Sequence, residues 1–354
     1  MPKAGSTNTK TAIQSPGPRT TQRAVELLRA GQLVGLPTET VYGLAGDACS
    51  DSAVARIFEL KQRPDFNPLI AHVSGIEMAK SLVELSEPAE KLMQAFWPGP
   101  MTLVLPRLDS CPVSHLASAG LETLALRCPD HPVAQDIIAA FDGPLAAPSA
   151  NPSGKISPTR AEDVAQHLDL PLIIDGGACT IGVESTVAAV MPDRLVLLRP
   201  GAISAKQLQD VAGLEVEEAE PPSDSHVRSP GQLASHYAPN ALVRLEAEII
   251  HAFDGLLAFG PLGRLAQEAR ALDVPIRNLS AKGDLKEAAA NLFAMLRELD
   301  ALPQVKAIAV MPIPEQDEQG SGLGLAINDR LRRAAAPRPD PDEPFEGGDG
   351  GDRQ

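Results

Sequence analysis

The sequence predicts an α/β protein: a mixed sheet with helices packed on it, followed by a smaller domain on a parallel sheet. Three observations carry this. From Arg19 to Leu214, short apolar runs alternate with segments of helical period, as strands interleaved with helices do. From about Glu215 to Asn240 the composition turns to Glu, Pro, Ser and Asp, the mark of a linker. Beyond it, apolar runs at Leu242–Leu245, Leu256–Phe259 and Ala307–Met311 enclose a helical pattern over Leu285–Leu299, a βαβ-like alternation. The 354 residues suffice for two cored domains. We expect a disordered leader over 1–18, a first domain over 19–214, the linker over 215–240, a second domain over 241–334 and a disordered acidic tail over 335–354.

Taken in order, a helix is expected from a cap at Thr20 or Thr21 through Ala24, Val25 and Leu28, ending at Gly31. Leu33–Leu36 reads as a buried strand, and beyond Pro37 the residues Thr38 and Thr40 alternate in a β period. Ser50 or Asp51 caps a helix with Val54, Ile57 and Phe58 on its apolar face, which leaves Lys61 at its C-terminal end. Leu69–Val73 returns as a strand. Two helical patterns follow, the second opening at Ser86 with Pro88 in its first turn. Trp97-Pro98-Gly99-Pro100 breaks the chain; Thr102–Leu105 and Thr123–Arg127 read as strands and His131–Phe141 as a helix. Leu145–Ala147 is a short run before the turn Pro148-Ser149-Ala150-Asn151. A capping box of Thr159 with Glu162 opens another helix, and Leu172–Asp175, Ser185–Val190 and Leu195–Leu198 complete the strands.

Bulk properties exclude several classes. A net charge of −15 opposes stable docking on a nucleic-acid backbone, which calls for a basic face, although a small basic pocket can sit inside an acidic protein. No apolar run is long enough to span a membrane. Cys49, Cys111, Cys128 and Cys179 form no C-x-x-C pair and fit thiols of a reducing cytosol, so a cytoplasmic location is expected.

The chemistry-bearing residues are ambiguous one by one. Lys61 and Arg63 at a helix end fit a solvated cap as well as an anion site. Arg127, closing a strand in apolar surroundings, fits a structural ion pair as well as bidentate capture of a carboxylate or phosphate. Gly176-Gly177, Gly182 and Ser185 read as loop, with a nest of backbone donors as the sharper alternative. His72 alternates within a strand; His115, His131, His167 and His226 show no metal spacing. Neither standard phosphate-loop fingerprint nor a G-x-S-x-G turn occurs.

Together, LPTETVYGL, KQR, NPLIAH, WPGPMTLVL, LALR, APSAN, IDGG, GVESTV, LLRPG, HYAP and the closing GLGLAINDRL resemble, in that order, the L-threonylcarbamoyladenylate synthase family in its longer, two-domain form. The resemblance covers Arg19 to Ala212, Ser229–Pro239 and the closing motif. It implies a YrdC-like mixed twisted sheet with flanking helices and a smaller C-terminal Rossmann-like α/β domain. It further implies conversion of L-threonine, bicarbonate or CO2, and ATP into L-threonylcarbamoyladenylate and pyrophosphate. The intermediate then serves threonylcarbamoyl modification of a tRNA adenosine by a downstream transferase. Magnesium would ride on the triphosphate.

Position by position, the resemblance assigns Lys61, Arg63 and Asn67 to ATP, the two cations with a catalytic role. It places Thr40 and His72 at the threonine, Arg127 on the threonine carboxylate, and Ala147 and Ser185 beside them. Thr123, Ser149, Asn151, Ser157, Arg199 and, from the linker, Tyr237 would line the nucleotide side. The family usually has basic residues just before HYAP, where this chain has Gln232-Leu233-Ala234-Ser235. The linker is expected to dock at the mouth of the nucleotide pocket through Tyr237, whose truncation would leave folded stability nearly unchanged. Two alternatives stand beside this reading. One is a carbamoyl-transfer enzyme of the same fold using carbamoyl phosphate, disfavoured by the lack of paired cysteines. The other is an RNA-binding module, disfavoured by the acidic balance and by having one Trp and two Tyr.

Overall fold

The computed structural model describes residues 12–63, 67–219, 235–316 and 320–337. Strand β1 (Ile13–Gln14) is followed by α1 (Pro18–Arg29), β2 (Val34–Leu36), β3 (Gly43–Asp47), α2 (Asp51–Lys61), β4 (Ile70–His72), α3 (Ile76–Lys80) and α4 (Glu87–Phe96). Then come β5 (Met101–Pro106), β6 (Thr123–Arg127), α5 (Pro132–Phe141), β7 (Leu145–Ala146), α6 (Ala161–Ala165), β8 (Ile173–Ile174), β9 (Thr186–Val190), β10 (Arg194–Arg199), α7 (Ala205–Ala212) and β11 (Glu215–Glu218). These strands form one mixed sheet in the order β1-β8-β2-β3-β7-β4-β6-β5-β9-β10-β11.

The second domain contains β12 (Leu242–Arg244), β13 (Asp254–Ala258), α8 (Arg264–Ala271), β14 (Ile276–Asn278), α9 (Leu285–Asp300), β15 (Ala307–Val310) and α10 (Leu323–Ala335). Its four strands are all parallel, in the order β12-β15-β13-β14.

The register of the large sheet builds the site. His72 of β4 lies opposite Arg127 of β6, and Arg127 lies opposite Thr102 of β5. Paired residues share a face, so these three form one polar row. On the same face Ile70, Val104, Ala125, Val187 and Leu198 pack as an apolar floor. The opposite face buries the main core against α2 and α4. Ser50 caps α2 as expected, accepting from the Ala53 N–H at 3.3 Å.

The structure corrects five boundaries. β1 pairs parallel with β8, so Ile13 and Gln14, expected in the leader, belong to the sheet. Helix α1 opens at Pro18 rather than at a threonine cap, because proline at the first position is preorganised for the helix. Asp163 rather than Glu162 closes the cap of α6: its carboxylate accepts from the N–H of Thr159 and of Arg160, each at 3.0 Å. Residues 215–218, expected to be linker, form β11 parallel to β10; the glutamates suit an edge strand, where charge blocks unwanted pairing. Ala335, expected in the tail, still belongs to α10. Residues 1–11, 220–234 and 338–354, with most of the leader, linker and tail, lie outside the described residues.

The two domains share a core. Val41, Ile156 and Val183 of the first cluster with Tyr237 and with Leu292, Phe293, Leu323 and Ile327 of α9 and α10. Among the described residues no helix is long and apolar enough to cross a membrane. All four cysteines are free thiols, with Cys49 exposed.

Candidate active site

The polar row opens into a small cavity of about 50 Å³. It is lined by Val41, Arg63, Ile70, His72, Arg127, Ala147, Pro148, Ser149, Glu184, Arg199, His236 and Tyr237. Water occupies about 30 Å³ in the liquid, so this is the volume of one or two waters and far below that of a nucleotide.

Lys61 and Arg63 are not a solvated cap. Gln62 takes the left-handed cap position at φ 50°, and both cations turn inward. The Lys61 ammonium donates to the carbonyls of Ser149 and Asn151, the latter at 2.6 Å. Arg63 donates to Asn67 Oδ1 at 2.5 Å and to the Pro68 carbonyl at 3.0 Å. Asn67 therefore positions Arg63, and Asn151 positions Lys61 through its backbone. Burial, reinforced by the neighbouring charge of Arg63, pushes the Lys61 ammonium well below its ordinary range. Burial and then Arg199 lower Arg63 to about 10, which leaves it charged at neutral pH.

At the other end, Arg127 donates from Nε to the Gly99 carbonyl at 3.3 Å and lies 2.6 Å from Glu39 Oε1, with both side chains buried. The arginine is thus ion-paired behind the cavity, the structural alternative the sequence left open, and it also lines the cavity in front. Thr38 and Thr40 do not continue a strand. They sit in a tight loop, their hydroxyls 2.9 Å apart, with Thr38 Oγ1 also donating to the Val41 carbonyl at 2.7 Å. Thr40 is fully buried and is not in the cavity lining. His72 is held neutral at about 3 by burial and then by the charge of Arg127, its Nδ1 3.3 Å from the Ile70 carbonyl.

The rest of the site comes from loops. Ser185 Oγ lies 2.7 Å from Thr102 Oγ1 and accepts from Arg199 at 3.0 Å. Ser157 donates to Glu184 Oε1 at 2.6 Å. Burial pushes the Glu184 carboxyl up, but Arg330 and Arg199 outweigh it and hold the group below its usual range.

Thr123 is the predicted site residue that stands apart. It shares the face of Arg127 but lies four residues along β6, roughly 13 Å away at strand rise, and does not line the cavity. Tyr237 enters from the linker as expected, yet it is anchored rather than loosely docked. It is 1% exposed, stacks on Phe293 with centroids 5.4 Å apart, and lies 5.7 Å from the Arg330 guanidinium carbon. Ala238 N–H donates to the Gly154 carbonyl at 2.8 Å and His236 N–H to the Arg333 carbonyl at 3.2 Å, so the segment is tied to both domains.

Sequence reasoning missed Glu39, Thr102, Glu184, His236 and Arg330. Each stands inside a quoted motif, which is the signal that could have found it: PTET, WPGPMTLVL, GVESTV, HYAP and GLGLAINDRL. Among the described residues that line the cavity, Arg63, Arg127 and Arg199 face the single carboxylate of Glu184, the arrangement suited to a polyanionic ligand. Among the described residues no three His, Cys, Asp or Glu side chains converge as metal ligands.

A family model described as "Telomere recombination" matches residues 26–201, and one described as "Threonylcarbamoyl-AMP synthase, C-terminal domain" matches residues 203–336. The threonylcarbamoyl-AMP synthase of Bacillus subtilis is 40% identical over 329 residues, covering 89% of this chain and 93% of the relative. This chain belongs to the threonylcarbamoyl-AMP synthase family. A second relative of that name, from Pyrococcus abyssi, is 39% identical over 326 residues, covering 89% of this chain and 94% of the relative. The crystal structure of Pyrococcus abyssi Sua5 complexed with L-threonine superposes with a TM-score of 0.79 at 35% identity, over 92% of this chain and 96% of that one. The threonylcarbamoyl-AMP synthase fold therefore spans both domains described above, and the cavity lies between its first domain and the segment that leads into its second.

Proposed function

We propose that the chain makes L-threonylcarbamoyladenylate from L-threonine, bicarbonate or CO2, and ATP, with release of pyrophosphate. The observation that carries this reading is that Arg63, Arg127 and Arg199 line one cavity together with His72 and Glu184, while Lys61 is held at its wall by the Ser149 carbonyl and Ser185 is bonded to Arg199. Adenylyl transfer needs this arrangement. The threonine carbamate oxygen attacks the α-phosphorus, the bond from that phosphorus to the bridging oxygen of the β-phosphate breaks, and pyrophosphate leaves with the electron pair. The protein supplies position and charge neutralisation rather than a covalent intermediate.

In this reading Lys61 and Arg63 meet the triphosphate. Asn67, Ser149, Asn151, Ser157, Arg199 and Tyr237 hold or shape the nucleotide side, and Thr123 lies at its outer edge. Arg127 binds the threonine carboxylate; Thr40, His72, Ala147 and Ser185 form the rest of that end. Magnesium arrives on the ATP phosphates as part of the substrate. Neutral His72 offers a hydrogen bond without adding charge beside Arg127. Closure of Tyr237 over the site shields the mixed anhydride from water. The product goes to a downstream transferase that modifies a tRNA adenosine. Free thiols at Cys49, Cys111, Cys128 and Cys179 fit a cytoplasmic setting.

The test is pyrophosphate release from ATP and bicarbonate with and without L-threonine. Threonine-dependent release supports the reading. Tight RNA binding with no threonine-dependent release would replace it with a binding module.

A further inference from the structure

Arg330 sits on α10 of the second domain and is fully buried, yet its guanidinium serves the first domain. Nε lies 3.1 Å from Glu184 Oε2, one terminal nitrogen donates to the Glu184 carbonyl at 3.3 Å, and the other to the Pro200 carbonyl at 2.6 Å. One planar fork thereby bridges the two segments that carry Ser185 and Arg199. Those residues are themselves joined: Arg199 donates from Nε to the Ser185 carbonyl at 3.1 Å and from a terminal nitrogen to Ser185 Oγ at 3.0 Å.

The domains meet without slack at this point. A Cβ on Gly182, at φ +77°, would lie 2.4 Å from the Ala289 carbonyl oxygen of α9. A Cβ on Gly322, just before α10, would lie 2.3 Å from the Gly201 carbonyl oxygen. Backbone therefore packs on backbone where α9 and the start of α10, the helix that carries Arg330, meet the first domain. Asp329 steadies the guanidinium, accepting from Arg330 at 3.0 Å and from Arg333 at 2.9 Å.

We infer that Arg330 is a positioning residue for the reaction: from the second domain it clamps the Glu184–Ser185 and Arg199–Pro200 segments together and so fixes Ser185, the threonine-end residue to which Arg199 is bonded. The inference rests on the function proposed above. A planar fork that spans two segments fixes their separation in a way a point charge cannot. Arg330 also lies 5.7 Å from the centre of the Tyr237 ring, so the closing segment and the Glu184–Ser185 segment share one cation.

The experiment uses the full-length chain and follows threonine-dependent pyrophosphate release with each substrate varied in turn. Arg330→Met together with Glu184→Gln removes both buried charges, a change that commonly leaves stability intact or improved. The double variant is expected to melt near the wild type, with the threonine KM raised about tenfold or more and the ATP KM, set mainly by Lys61 and Arg63, moved less than about threefold. Arg330→Lys should recover part of the threonine affinity, because it restores the charge but not the fork. If the variants carrying Arg330→Met do not fold, Glu184→Gln alone carries the test. Its amide oxygen can still accept from Ser157 while the ion pair is gone, and the same threonine-selective rise is expected. A folded double variant, or a folded Glu184→Gln, with wild-type KM for threonine would overturn the positioning role. A wild-type protein without threonine-dependent release would instead overturn the proposed function.

Discussion

Tyr237→Ala tests how the linker closes the site. The side chain is 1% exposed and packs on Phe293 and beneath Arg330, so truncation opens a cavity in the core that the two domains share. Large-to-small changes at buried aromatics cost about 3–5 kcal/mol, of which about 1 kcal/mol belongs to the ring pair itself. The backbone adds a second, independent signature. Tyr237 sits at φ +60°, a left-handed conformation that L residues with a Cβ adopt only at a cost. Alanine keeps that strain; glycine relieves it by about 1 kcal/mol. Tyr237→Gly should therefore be no worse than Tyr237→Ala, the reverse of the usual order in helices and strands. Urea unfolding followed by circular dichroism measures both. An unchanged midpoint for Tyr237→Ala would return the segment to the role of a tether. A glycine variant clearly weaker than the alanine one would refute the strain argument.

Three further outcomes are expected. Arg127→Ala should raise the threonine requirement far more than the ATP requirement, since a charge-assisted hydrogen bond contributes about 1.5–3 kcal/mol, roughly ten- to a hundredfold. The same variant leaves the Glu39 carboxylate buried without its cation, so it should also melt earlier; steady-state kinetics and thermal melting read the two effects separately. Arg63→Lys should fail to restore full activity because an ammonium cannot reproduce the bonds to Asn67 and Pro68, and wild-type kcat in that variant would contradict the role of the fork. His72 and His236 are both held neutral by burial, at about 3 against an ordinary value near 6.5. Between those values the unfolded chain binds more protons than the folded one. Their contribution is therefore complete above about pH 6.5 and is lost as pH falls toward 3, at up to about 1.4 kcal/mol per pH unit for each. Melting temperature against pH should fall through that window, and His72→Asn should flatten the decline.

What the sequence disclosed follows the physics of each residue. The buried strands around β4 and β6 and the capped helix α2 were legible because apolar runs and a serine cap act locally. β11 was not, because four residues of which three are glutamates give no apolar signal, and only pairing with β10 makes them a strand. β14 and α8 were missed for the same reason: neither carries a continuous apolar run, and both are fixed by packing on β13. In the site, Arg127 was visible at a strand end, but its ion pair with Glu39 depends on a loop some ninety residues away and could not be read from spacing. The spacing of Lys61 and Arg63 left a solvated cap and an anion site both open; that they turn inward depends on carbonyls of the turn at Ser149–Asn151 and of Asn67 and Pro68. Tyr237 was expected to dock at the nucleotide pocket, but its anchoring in the core shared with α9 and α10 was not legible, because those helices lie far along the chain.

In the proposed reaction one cavity joins threonine, a one-carbon unit and the adenylyl group of ATP. Incubation with ATP, magnesium, L-threonine and carbon-13 bicarbonate, followed by mass spectrometry of the quenched mixture, measures this directly. The expected product is a threonylcarbamoyl adenylate that carries the label in its carbamoyl carbon, with one pyrophosphate formed for each adenylate and none when threonine is omitted. Formation of ADP and phosphate, or of AMP without any labelled adduct, would contradict adenylyl transfer to a threonine carbamate.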